Sequence, residues 1–245
     1  MLPVLLLLLL SGICEMKKLK ILVAVLDNYD PTKKQADWVQ KYGAEFENNK
    51  RQYAEKHGYD FFVGRENLTP DNHPVWSKFV YNLQKLDEGY DIIINIDADA
   101  RIMNDEIKIE DLDAQLQSQC GDYSVAMAKD INGFNDGVYI LKNTPTTKQI
   151  LIDALKIKSD GSVPFIYAWY EQAGFAYIVG KNPAFLSQVC VPALSMFNSY
   201  TFNERNAGTV YKEGDFILHF VNHGKQVISH YMDRLMNKKK ITEYN

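Results

Sequence analysis

The sequence lacks the marks of several large protein classes. Its three cysteines, Cys14, Cys120 and Cys190, form no Cys-x-x-Cys, so no zinc-binding spacing is present. Cys120 and Cys190 could pair, but nothing in their spacing requires it, and two reduced, buried thiols are the simpler reading. A basic excess is missing too. The 27 Lys and Arg against 31 Asp and Glu give a net charge of −4 and a pI near 5.8, without the basic face a general nucleic-acid binder needs. There is no internal repeat and no low-complexity linker. The longest apolar run, residues 2–13, is too short to span a bilayer comfortably. What remains is a chain of 245 residues, 46% hydrophobic and 12% aromatic. That composition belongs to a folded protein with a sizeable core, at a length suited to one large domain.

Two starts are compatible with the N-terminus. Residues 2–13, LPVLLLLLLSGI, have the size of a signal-peptide core, although no positive segment precedes them. A targeting leader of this kind would give weak membrane association through the N-terminus. The other start is Met16, where MKKLKILVAV opens a soluble α/β domain, with a cytoplasmic location. Residues 1–15 are therefore set outside the fold, and residues 16–245 are read as a single domain.

The chain is organised around YDIIINIDADAR, Tyr90–Arg101. A buried strand over 91–97 runs into Asp97-Ala98-Asp99. Acids at i and i+2 on extended backbone project to the same side, and two like charges so close are unfavourable without a cation between them. A hard divalent ion carrying a diphosphate meets that need. Asp-x-Asp alone also arises by chance as a solvated loop, so its partners decide.

Upstream, Lys20–Leu26 reads as a central parallel strand. It ends in Asp27-Asn28-Tyr29-Asp30-Pro31. Ligands of open α/β sheets sit beyond the carboxyl ends of strands, which makes Asp27 and Asn28 candidate donor contacts. A helix over 34–57 stacks Tyr42, Phe46, Asn49, Tyr53 and His57 on one face, with Gly58 as its stop and His57 as a helix-end residue. Tyr59–Val63 is a second strand and 75–87 a second helix, which completes β-α-β-α-β with right-handed crossovers.

Downstream, a helix over 109–118 and a strand over Tyr123–Met127 precede a turn at Asn135-Asp136-Gly137 and a strand at Val138–Leu141. A helix over 146–157 is capped by Asn143 or Thr144, with Pro145 at its first position. A further helical piece covers 164–174, mixed structure follows over 181–213, and Phe216–Phe220 and 225–237 close the chain as strand and helix. Trp76 and Trp169 read as core.

Three downstream elements carry chemistry. Phe134-Asn135-Asp136-Gly137-Val138-Tyr139 holds a glycine that lets a ligand approach the backbone. Trp169-Tyr170-Glu171-Gln172 offers an acid beside an amide. Gly214-Asp215-Phe216-Ile217-Leu218-His219-Phe220 carries a strand histidine, followed by Asn222-His223-Gly224-Lys225. That His and Lys could supply a metal nitrogen and a diphosphate cation.

The order IDADA, NDGVYILKN, WYEQ and GDFILHF with a trailing Gly-Lys, preceded by KRQYAEKHGYD and Trp76-Ser77-Lys78, resembles glycosyltransferase family 34. These are the galactosyl-, mannosyl- and xylosyltransferases of yeast cell walls and plant xyloglucan. The resemblance covers roughly residues 19–230. It implies an α/β fold of GT-A type, with a mixed central sheet and a Rossmann-like N-terminal half. It also implies a retaining, metal-dependent transfer from a nucleotide sugar, UDP preferred over GDP, to a glycan acceptor, in the secretory pathway or Golgi. By position, Asp97, Asp99 and His219 would hold Mn2+ (or Mg2+), and Gln172 would sit near the anomeric carbon. Glu171 would contact sugar hydroxyls, and Lys225 would neutralise the diphosphate. Asp27, Asn28, Lys78, Asp97, Asn135, Asp136 and Gly137 would line the donor site. Many relatives carry Asp where this chain has Glu171, and a shorter Gly-containing link where it has Asn222-His223, so His223 competes with Lys225 for the pocket. Two alternatives stand beside this reading. A sugar-phosphate nucleotidyltransferase would want a glycine-rich basic loop after the first strand, where this chain has the acidic DNYDP. A non-catalytic sugar- or nucleotide-binding module would not need both acids and the His.

Overall fold

The computed structural model describes residues 18–27, 37–157, 160–201, 210–221 and 225–236, with the side chains of Asp37, Trp38, 225–227 and Met236 left aside. Asn28, His223 and the side chain of Lys225 lie outside the described residues.

Strand β1 (Ile21–Leu26), helix α1 (Asp37–His57), strand β2 (Asp60–Gly64), helix α2 (Ser77–Asp87, led in by a 3-10 turn at Pro74–Trp76) and strand β3 (Ile92–Ile96) follow one another. β1 is parallel to both β2 and β3. Its unbroken apolar run reflects burial on both faces. Ile21, Val23, Ile92, Ile94 and Ile96 face Tyr53 of α1, while Leu22, Ala24 and Ile93 face Trp76 and Phe79. Gly58 takes φ 69 just after α1, which only glycine adopts freely. His57 Nε2 lies 2.7 Å from the Asp105 carbonyl oxygen.

Strand β4 (Ala100–Ile102), helix α3 (Ile109–Cys120), strand β5 (Val125–Asp130), strand β6 (Gly133–Lys142), helix α4 (Pro145–Leu155) and helix α5 (Ile166–Lys181) come next. Thr144 caps α4, its side chain accepting from Thr147 N at 3.0 Å. Helix α6 (Pro183–Leu186), strand β7 (Val189–Cys190), helix α7 (Leu194–Phe197), strand β8 (Ser199–Tyr200), strand β9 (Ile217–His219) and helix α8 (Lys225–Met236) complete the chain. The main sheet has the order β2-β1-β3-β6-β5-β7. β6 runs antiparallel to β3, so a parallel half is joined to a reversed half. A smaller sheet, β4-β9-β8, sits beyond it, and α8 packs Ile228, Tyr231 and Met232 onto Leu218, Phe220 and the α1 residues Tyr42 and Phe46. Among the described residues no helix is long and apolar enough to cross a membrane.

Three local readings of the sequence are overturned. Asn135-Asp136-Gly137 is no turn but the middle of β6. The hairpin turn lies earlier, at Ile131-Asn132, where Asn132 N donates to Asp130 Oδ1 at 2.7 Å and Gly133 takes φ 109. The stretch lies beyond the last β3 pair, Ile96–Val138, and across a register shift against β5, so its backbone is met otherwise: Gly137 O accepts from Asp97 N at 2.7 Å, and Asp136 N and Gly137 N donate to the side chains of Gln172 and Asn135. The helical piece at 164–174 runs on to Lys181, broken at Tyr170. Cys120 and Cys190 are not reduced thiols: they form a disulfide across 70 positions, with Cα atoms 5.7 Å apart. The end of α3 lands beside the edge strand β7, a proximity set by sheet order and absent from linear spacing.

By loop-closure entropy, breaking a bridge of this span with Cys190→Ser should cost about 4 kcal/mol, read as a lower denaturant midpoint. Alkylation of the unfolded, unreduced chain should leave Cys120 and Cys190 unmodified.

Candidate functional site

The acid pair owes its place to three backbone restraints. β3 ends at Ile96, and the chain turns on the Ala100 N to Asp97 O bond of 3.1 Å before restarting as β4. Asp97-Ala98-Asp99 therefore occupies a tight turn rather than the extended strand end expected. β4 pairs with β9 in a register that sets His219 opposite Ala100, and Phe220 N donates to Asp99 O at 3.1 Å. α1 clamps the far side. Asn49 Oδ1 accepts from Ile102 N at 2.8 Å and its Nδ2 donates to Ile102 O at 3.0 Å, while Lys50 Nζ donates to Ala98 O at 3.3 Å. One ligand atom from each of Asp97, Asp99 and His219 thus lies within 4.8 Å of the others. His219 Nε2 is 3.3 Å from Asp99 Oδ1.

The His219 ring lies against Gly137 of β6. A Cβ on Gly137 would stand 1.9 Å from His219 Cε1, so a glycine is required there to admit the ring. Asp136, one residue earlier, joins a buried cluster around Lys78. The ammonium lies 2.9 Å from Asp97 Oδ1, 3.3 Å from Glu171 Oε1 and 3.5 Å from Asp136 Oδ2, and donates to the Asp136 carbonyl at 3.2 Å. Among the described residues Asp136 Oδ2 has no hydrogen-bond partner.

Charge is unbalanced here. With all four acids ionised and His219 neutral, Asp97, Asp99, Asp136 and Glu171 against Lys78 and Lys50 carry a formal excess of two negative charges, which the protein relieves by binding protons. Burial lowers Lys50 to about 7 against the pull of Asp99 and Asp97. Burial and then the Asp136 charge push Glu171 well above the usual 4.5. Burial works against a charged His219 ring, yet Asp99 and Asp97 together raise its pKa above 6.5. One divalent cation would cancel this excess, and two carboxylates with an imidazole nitrogen are a donor set that suits Mn2+ and accommodates Mg2+.

Glu171 and Gln172 reach the cluster through a break in α5. Tyr170 takes φ 37 and ψ −115, its ring stacked 3.9 Å from that of His73. Phe165, at the head of the helix, takes φ 61. Such conformations cost about 1–3 kcal/mol each and concentrate at functional sites. Beyond the break, Gln172 Oε1 accepts from Asp136 N at 3.1 Å. Gln172 also lines a cavity of about 500 Å³ with Phe134, Phe165, Trp169 and Tyr177. Trp169 is accordingly half-buried in a cavity wall, not a core residue, because the broken helix turns it outward; Trp76 is fully buried.

The remaining candidates divide. Asn135 is buried and bonded within the protein. Asp27, at the end of β1, accepts from Arg65 at 2.5 Å and lines a shallow cleft with Lys50 and Ala98. Lys225 opens α8.

A family model, the galactosyl transferase GMA12/MNN10 family, matches residues 17–116 and 113–226. The chain belongs to that family. An alpha-1,2-galactosyltransferase of Schizosaccharomyces pombe is 26% identical over 211 residues, covering 70% of this chain and 54% of its own length. The chain thus spans about half the length of this curated relative. Among solved structures, a glycosyltransferase involved in the glycosylation of the major capsid of PBCV-1 gives a TM-score of 0.66 at 13% identity, covering 87% of this chain and 98% of its own. The glycosyltransferase GlyE of Streptococcus pneumoniae gives 0.51 at 16% identity, covering 93% and 66%. The fold of this GMA12/MNN10-family chain is the GT-A type.

Two residues of the site escaped sequence reading. Lys50 lies beside the apolar stripe of α1, where a lysine reads as solvated; its only signal was its place in KRQYAEKHGYD. Asn198, fully buried with Oδ1 2.9 Å from His219 Nδ1, fell in a segment without periodicity.

Because Glu171 holds its proton more tightly folded than unfolded, its stabilising contribution is complete below about 4.5 and is lost as pH rises through the raised value. In metal-free protein Glu171→Gln should therefore raise Tm at neutral pH and flatten the fall of Tm between acidic and neutral pH, measured by calorimetry.

Proposed function

We propose that this chain is a metal-dependent retaining glycosyltransferase. It moves a hexosyl or pentosyl unit from a nucleotide-diphosphate sugar, a UDP-sugar in preference to a GDP-sugar, to a hydroxyl of a glycan, and residues 16–245 form its single catalytic domain. The observation that carries the proposal is the convergence of Asp97, Asp99 and His219 within 4.8 Å at the carboxyl end of a parallel strand, where open α/β sheets bind ligands. A galactosyl donor is the first to test, since the Schizosaccharomyces pombe relative is an alpha-1,2-galactosyltransferase.

Asp97, Asp99 and His219 would hold Mn2+ or Mg2+. That ion would supply charge compensation to a diphosphate leaving group. Lys78 bridges Asp97, Asp136 and Glu171 from behind and keeps the three side chains in place. Glu171, buried against Lys78, acts by orienting that ammonium and the sugar-facing groups beside it. Gln172, with its carbonyl held by Asp136 N–H, presents its amide N–H atoms towards the anomeric carbon. The cavity that Gln172 shares with Phe165, Trp169 and Tyr177 supplies apolar ring faces for an acceptor sugar. Asp27 and Asn28 border the nucleotide. Lys225, whose side chain lies outside the described residues, would supply a cation for charge developing on the leaving oxygen. That oxygen takes the acceptor proton, so no separate base is required.

Ligand bound only by the native state raises Tm by mass action. UDP with Mn2+ should therefore raise the Tm of the parent protein, and the Asp97→Asn, Asp99→Asn double variant should lose both that shift and donor turnover while remaining folded. Undiminished Mn2+-dependent UDP binding by the double variant would contradict the proposal.

A further inference from the structure

We propose that Asn198 is a positioning residue. Anchored through Asn135 to Asp130, it fixes His219 in the Nδ1–H tautomer, so that the bare Nε2 is presented to the acid pair. The observation behind it is a chain of hydrogen bonds whose direction is forced from one end.

The Gly137 backbone N–H can only donate, and it meets the Asn135 side chain at 3.1 Å. The facing atom of Asn135 is therefore its oxygen, and the Asn135 NH2 group points the other way, onto Asp130 Oδ2 at 3.1 Å. That carboxylate oxygen also accepts from Tyr200 OH at 3.0 Å, and acceptors are all a carboxylate has to offer. Asn198 approaches the same Asn135 oxygen at 2.8 Å, so the Asn198 atom there is nitrogen, which uses the oxygen's second lone pair. The Asn198 oxygen consequently faces His219 Nδ1 at 2.9 Å. An oxygen there requires a proton on Nδ1, and the neutral ring then carries its lone pair on Nε2, 3.3 Å from Asp99 Oδ1. Which ring nitrogen is free to bind is set by the bond the other makes.

The arrangement is built, not incidental. Asn198 is fully buried and Asn135 nearly so. Gly137 supplies both the N–H that starts the chain and, having no Cβ, the space in which the ring lies. Asn198 is held in place by α7 on one side, its N–H bonded to Leu194 O at 2.7 Å, and by β8, which pairs with β9, on the other. Turning Asn135 over would set nitrogen against the Gly137 N–H and oxygen against Asp130, and turning Asn198 over would set its oxygen against that of Asn135.

The inference rests on the metal reading above only for its affinity arm; the tautomer arm tests the hydrogen-bond chain by itself. The experiment uses the full chain with 15N-labelled histidine, metal-free, at a pH where the ring is neutral. Long-range proton–nitrogen correlation assigns the tautomer, and His219→Gln identifies the signal by its loss. Mn2+ affinity is measured in parallel from the spin-resonance signal of free Mn2+. The parent protein should show Nδ1–H. Asn198→Leu, similar in shape without an acceptor, should move the ring towards Nε2–H and weaken Mn2+ binding on the order of 10–100-fold. Asn198→Asp, which keeps an oxygen towards Nδ1 but loses the donor to Asn135, should hold Nδ1–H and bind Mn2+ more tightly than Asn198→Leu. An Nε2–H tautomer in the parent protein overturns the inference, as does an Asn198→Leu variant with tautomer and affinity unchanged. If Asn198→Leu does not fold, the parent tautomer and Asn198→Asp decide. A parent protein with Nδ1–H and no Mn2+ affinity sinks the metal reading and leaves the hydrogen-bond chain standing.

Discussion

Two carboxylates in a tight turn at the end of a buried strand impose a constraint that the surrounding structure answers piece by piece. Asp97 and Asp99 lie close to Asp136 and Glu171, more acids than the nearby lysines match, and Glu171 answers by holding its proton more tightly. Concentrated charge of one sign away from bulk water is expensive. Two carboxylates beside an imidazole nitrogen form a donor set that one divalent ion would satisfy. Lys78 and Lys50 hold the carboxylates without saturating them, one by ion pairs and the other through the Ala98 carbonyl.

The architecture brings the third donor to this point. β3 continues through the acid turn into β4, β4 pairs with β9, and the register opposes Ala100 to His219. The histidine arrives from more than a hundred residues away because a short antiparallel ladder ends there. On the other flank, β6 crosses beside β3 and offers Gly137, the one residue type whose absent side chain leaves room for the ring. A break in α5 at Tyr170 then delivers Glu171 and Gln172 to Lys78 and Asp136. Main-chain pairing thus carries most of the positioning, and side-chain polar networks complete it.

Much of this was legible in the sequence, for identifiable reasons. The continuous apolar runs of β1 and β3 are signatures of strands buried on both faces, and the Tyr42–Phe46–Tyr53 stripe marked α1. Asp97, Asp99 and His219 could be picked out because strand patterns led into each. Asn135-Asp136-Gly137 misled because turn-type residues rarely find backbone partners inside a strand, and here the side chains of Gln172 and Asn135 and the Asp97 N–H supply them. The disulfide was illegible because it depends on β7 taking the sheet edge. Asn198 and Lys50 were illegible because a buried polar residue is recognisable only by its partners, which are distant in the chain.

The most direct measurement is diffraction from crystals soaked with Mn2+ and UDP, collected to locate manganese by its anomalous scattering. The account predicts one strong peak at bonding distance from carboxylate oxygens of Asp97 and Asp99 and from His219 Nε2, with the UDP phosphates on its open side. A manganese peak elsewhere, or one bound to the acids with His219 turned away, would contradict it.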